Sequence, residues 1–145
     1  MVPSEVTGAN RLKYDRSKPF TKEVVYQNYF VPTKMVTIPK AYVIPQGMHH
    51  VIERLSLNGV KMKKISQDTM LTVGSYRIAD YKTFTNAYEG HYPHYNTSVQ
   101  HDTKELMFAA GDYIISTDQP GVRYLLETLE PEAPDSFFNW NFFDT

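Results

Sequence analysis

The strongest constraint on this chain is its density of strand-forming side chains, broken at short intervals by residues that stop strands. Val, Ile, Thr, Tyr, Phe and Trp make up 52 of the 145 residues, whereas Ala and Leu make up 15. β-branched and aromatic side chains suit a pleated, half-buried surface and lose rotamer freedom in a helix. Nine prolines and seven glycines punctuate the sequence, as a fold of many short strands requires. The expected class is mainly β, an antiparallel β-sandwich of jelly-roll or immunoglobulin-like type. The length fits one domain with a proper core.

Strands are expected at 23–31, 34–38 and 41–44, closed in turn by Pro32, Pro39 and Pro45. At 48–58 the period changes. Met48, Val51, Ile52 and Leu55 fall at i, i+3, i+4 and i+7, a helical stripe, and Asn58-Gly59 supplies a left-handed stop. Residues 60–65 alternate apolar and basic, as on an exposed strand. A strand pair is expected around Gly74 within 69–81. Residues 88–101 read as a Tyr- and His-rich loop leading into a short strand. Ala110-Gly111 is a turn between 105–109 and 112–117. Residues 122–129 fit either helix or strand, and Pro131 with Pro134 ends them. Residues 1–21 read as an N-terminal arm, leaving 22–145 as the single β-sandwich domain.

Charge narrows the functional classes. The formal net charge is −1, yet residues 1–104 carry +6 and residues 105–145 carry −7, with Arg123 the lone base of that segment. Near-neutrality argues against a general nucleic-acid binder, which needs a net basic face. With no cysteine in the chain, disulfides, thiolate zinc sites and a cysteine nucleophile are excluded. No apolar run approaches the ~20 residues of a membrane span, and residues 1–15 lack the apolar core of a signal peptide. The apolar ending Phe142-Phe143-Asp144-Thr145 suggests a piece of a longer protein.

An ordered series of motifs carries a family resemblance. It comprises Glu89-Gly90-His91, Ala110-Gly111-Asp112-Tyr113, Ser116-Thr117-Asp118-Gln119-Pro120, Tyr124-Leu125-Leu126, Leu129-Glu130-Pro131, Asp135-Ser136 and Asn139-Trp140-Asn141-Phe142-Phe143-Asp144. Upstream, Pro39-Lys40-Ala41-Tyr42-Val43-Ile44-Pro45 and Leu57-Asn58-Gly59-Val60 belong to the same series. From about residue 35 to 145 the chain resembles the C-terminal, non-catalytic region of zinc carboxypeptidase-like proteins of the carboxypeptidase A type, as found in Bacteroidetes. The resemblance implies a β-sandwich accessory module that follows a peptidase domain and packs against or positions it. It implies a secreted, periplasmic or cell-surface location, no enzymatic activity in this piece, and zinc only in the peptidase domain of the parent. Gly90, His91, Gly111, Gln119, Pro120, Glu130, Pro131, Trp140 and Asp144 then have structural or interface roles, Trp140 as the anchor of a core or of a domain interface, and an open apolar patch around Trp140 and Phe142 would support docking to a partner domain.

Three sharper chemistries compete with those roles. His50-Val51-Ile52-Glu53 has the His-x-x-Glu spacing of zinc ligands, but both residues are expected as solvated neighbours on a short helix. His91, His94 and His101 could hold a metal only if Pro93 let them converge, and His91 is expected to be a hydrogen-bonded structural histidine. Tyr88, Tyr92 and Tyr95 with His91 could form a platform for a sugar ring, against the blander expectation of half-buried packing. Glycan binding is therefore the alternative to the accessory role.

Overall fold

The computed structural model describes residues 1–144 and divides into two units, Met1–Met35 and Val36–Thr145.

In the first unit, β1 (Val2–Pro3) and β2 (Asn10–Arg11) pair antiparallel. The Ser4 hydroxyl accepts from the amides of Val6 and Thr7, and Gly8 turns the chain at φ 70°. The strands expected at 23–31 and 34–38 do not form. Val25 is 86% exposed and Phe30 99% exposed, and none of these residues joins a sheet. Strand propensity records a fit to neighbouring strands, and without a partner the local preference is not realised.

The second unit is mainly β and antiparallel throughout. β3 (Ala41–Ile44), β4 (Lys63–Lys64) and β7 (Tyr113–Ser116) form a three-stranded sheet in the order β3-β7-β4. Ile44 pairs with Tyr113 and Ala41 with Ser116. The layering is sandwich-like. The layer facing the sheet comes from α1 (His49–Leu57), α2 (Val122–Leu129) and the coil that follows α2. Ile44 and Ile115 of the sheet form one core with Val51 and Leu55 of α1, Leu125 of α2 and Phe137. The stripe expected on α1 is therefore buried at Val51 and Leu55. Met48 caps the helix instead and stays exposed. Gly59, at φ 75°, ends the helix as expected, and the Asn58 side chain donates to the Arg54 carbonyl. Segment 122–129 resolves as helix.

β5 (Thr69–Thr83) and β6 (His94–Phe108) form a separate two-stranded ribbon, in register from Thr69↔Phe108 to Thr83↔His94. At fifteen residues a strand it is about 50 Å long. Gly74 is thus no turn between two strands but an interior position opposite Thr103. The His101 ring lies over it, where a Cβ would come within 2.8 Å of Nε2. β6 also starts seven residues before the end of the expected loop, because cross-strand pairing overrides the turn-like composition around Pro93.

Candidate ligand-binding face at the ribbon end

The connection between β5 and β6 carries most of the residues singled out for binding. Tyr88 and His91 exchange two backbone hydrogen bonds, 2.8 and 2.9 Å. The two residues between them, Glu89 (φ 50°) and Gly90 (φ 81°), are both left-handed. That geometry matches the right-handed twist of a tight hairpin and favours glycine, which accounts for the Glu89-Gly90-His91 motif. The turn presents its two flanking rings to Trp140. His91 meets the indole edge-on at 5.5 Å, and Tyr88 lies 6.2 Å away. The indole Nε1 points to Asp135 Oδ1 at 3.4 Å. Tyr88 and Tyr92 are 56% and 55% exposed. Tyr95 stacks on Phe84 at 5.0 Å, forming a second aromatic pair.

The turn is seated on the C-terminal coil through His94, a residue the motif series passes over. His94 is buried, with Thr83 Oγ1 2.9 Å from Nδ1 and both Asp144 carboxylate oxygens within 3.3 Å of Nε2. The consistent assignment has Nε2 donating to Asp144 and Nδ1 accepting from Thr83. The Asn141 amide then spends its two donors on Asp144 Oδ2 and the Tyr92 carbonyl, each at 3.0 Å. Tyr81 and Phe138 stack against the imidazole. Asn139 adds the backbone tie from the His94 amide at 2.8 Å and accepts from Thr97 Oγ1 at 2.6 Å. The structure thus makes His94 the hydrogen-bonded structural histidine, while His91 packs on the indole. Burial cannot be read from the two-residue spacing of the histidines, so His94 carried no distinguishing signal.

The remaining motif residues lie elsewhere and have structural work. Asp112 is buried and accepts from the amides of Gln46 and Ala109, both at 2.9 Å, which fixes the turn at Gly111 (φ 102°). The Gln119 side chain acts as a substitute strand. It accepts from the Lys61 amide at 2.8 Å and donates to the carbonyls of Lys61 and Ser116. Pro120 leads into Gly121, the left-handed start of α2. Glu130 closes α2, followed by Pro131, whose carbonyl accepts from the fully buried Ser136 hydroxyl. Phe142 is not on an open patch, because it packs against Phe137 at 4.8 Å and joins the core.

The metal-like spacings do not gather ligands. His50 and Glu53 are exposed on α1. Glu53 lines a groove of about 680 Å³ together with His49, Ile52 and Met62, and His50 does not. His94 and His101 are seven residues apart on one strand, about 23 Å along the ribbon. Among the described residues, no group of three or more His, Asp or Glu is placed to hold a metal ion, and no helix is long and apolar enough to cross a membrane.

Comparison with known proteins adds a relationship. Over 101 residues the chain is 30% identical to "Carboxypeptidase 2" of Trichophyton tonsurans and equally to that of Trichophyton equinum. It is similar to a segment of carboxypeptidases. The Trichophyton rubrum protein matches at 29% over the same length. Each match covers 68% of this chain, which spans only 18% of the length of these relatives. The relatives are fungal and lend no support to the bacterial origin that the motifs suggested. No family model and no solved structure matches the chain.

Proposed function

We propose that this chain is a non-catalytic accessory domain of a secreted zinc carboxypeptidase-like protein, packing against or positioning the peptidase domain of the same polypeptide. The observation that carries the reading is the partial match itself. Two thirds of this chain aligns with less than a fifth of each carboxypeptidase, which is what a module appended to a larger enzyme gives. The motif residues support it, since Gly111, Asp112, Gln119 and Ser136 hold turns and chain crossings together. In this reading zinc and peptide hydrolysis belong to the peptidase domain of the parent. The purified chain, incubated with zinc and C-terminally labelled peptides, should release no C-terminal residue. Zinc-dependent release by the chain alone would sink the proposal.

A second reading, a glycan-binding module, is favoured by one observation. Tyr88 and Tyr92 remain more than half exposed in a folded domain, and Tyr88 lies beside an indole that could complete a sugar site. The fold alone does not choose between these roles. A glycan array probed with the purified chain tests this reading, and an array without a hit would remove it.

A further inference from the structure

The aromatic residues of the ribbon end do not form one surface. Tyr95 faces Phe84, whereas Tyr88 and His91 face Trp140. Both pairs sit on paired backbone, Tyr95 opposite Lys82 and Phe84 through its amide to the Pro93 carbonyl, but only the second group adds an indole beside a tight turn. The two-residue turn locks Tyr88 and His91 against each other through paired backbone bonds. Trp140 is fixed by the Ser136 carbonyl through its amide and by Asp135 through its indole nitrogen. Rings held this way lose little freedom on binding, and preorganisation of that kind favours affinity.

We infer that Tyr88, Trp140 and His91 form a stacking subsite for an uncharged hexopyranose of a glycan chain, an inference that rests on the glycan-binding reading. An apolar C–H face of a pyranose matches the exposed Tyr88 ring, with the partly buried indole, tilted 46° to it, closing one side. The Tyr88 hydroxyl, the His91 imidazole and the Glu89 carboxylate supply the donors and acceptors that sugar hydroxyls need. Charge sets the class. Glu89 sits on the turn itself, and Asp135 touches the indole. Such a surface repels uronic acid and sulfated chains and accepts neutral ones.

Trp140 is the single tryptophan of the chain, so its fluorescence reports directly on the subsite. The full chain is titrated with cellohexaose, chitohexaose and polygalacturonate, with calorimetry in parallel. A saturable change in Trp140 emission with a neutral hexasaccharide, and none with polygalacturonate, is expected. Tyr88→Ala should weaken binding at least tenfold. Tyr95→Ala should change it less than twofold. Trp140→Phe, which keeps a ring if Trp140→Ala does not fold, should retain weakened binding by calorimetry. Absence of binding to both neutral chains overturns the inference, as does equal binding of polygalacturonate. If Tyr95→Ala abolishes binding and Tyr88→Ala leaves it intact, the subsite is refuted while the broader glycan reading stands.

Discussion

The Tyr42 hydroxyl donates to Glu130 Oε1 at 2.5 Å, joining two residues 88 positions apart. Glu130 is buried, and its carboxylate acts on the Tyr76 phenol of the ribbon, raising its pKa. One side chain at the end of α2 therefore ties the helix layer to β3 of the sheet. Buried polar groups need partners, and the Leu129-Glu130-Pro131 motif is explained by this crossing.

Glu130→Ala removes the acceptor of Tyr42 and leaves that half-buried phenol without its partner. The expected loss is about 2–3 kcal/mol, with hydrogen bonds to a charged group at the upper end of the usual range. Glu130→Gln, which keeps an acceptor, should lose less. Urea midpoints of the three proteins at pH 7 check this ordering, and an unchanged midpoint for Glu130→Ala would refute it.

The same cluster predicts alkaline sensitivity. Burial, then the influence of the Glu130 carboxylate, pushes the Tyr76 hydroxyl up to about 12. The same causes raise Tyr42 still further. An unfolded tyrosine titrates near 10. The native state therefore holds these protons more tightly, and their contribution is fully present below about pH 10. It is lost as pH rises from there through the folded values. Denaturation midpoints should be level from pH 7 to 9 and fall by pH 11. Tyr42→Phe with Tyr76→Phe should flatten that fall.

Gln119→Ala should cost about 1–3 kcal/mol, because it strips the Lys61 amide and two carbonyls of their partner. Hydrogen exchange at Lys61 gives the local readout. Exchange there should accelerate strongly, while that of Ile115 in β7 should rise only in proportion to the lost global stability.

The two constrained glycines should differ. A Cβ at Gly111 would meet Gln46 Oε1 at 2.8 Å, the end of an exposed side chain that can move aside, but φ 102° remains, so Gly111→Ala carries backbone strain of about 1–3 kcal/mol. At Gly74 the obstacle is the ring of an exposed His101 side chain, which can swing away. Gly74→Ala should therefore lower the thermal midpoint less than Gly111→Ala.

Leu55, Ile115 and Leu125 are each fully buried in the small core shared by sheet and helices. Leu55→Ala should destabilise by about 2–5 kcal/mol. Leu57→Ala, on the exposed side of the same helix, should stay within about 0.5 kcal/mol. Chemical denaturation of the two variants separates them.

Local sequence was enough to settle the β-rich class, the α1 stripe at Val51 and Leu55, the stop at Gly59 and the turn at Gly111. Each of these depends on side-chain period or on the conformational freedom of one residue. It failed at 23–31, where Val24, Val25, Tyr26 and Phe30 favour a strand that no partner completes, and at Gly74, which reads as a turn but lies inside a strand. Both depend on which other segment pairs there. At the ribbon end the sequence supplied Tyr88, Gly90 and His91 as members of a Tyr- and His-rich loop and of a motif, without the left-handed turn that joins them. The tertiary structure decided that Trp140, 52 positions after Tyr88, completes the ring set, that Tyr95 belongs to another pair, and that His94 rather than His91 is buried. Burial and ring contact are properties of chain crossings, and a crossing is fixed by the packing of the whole core.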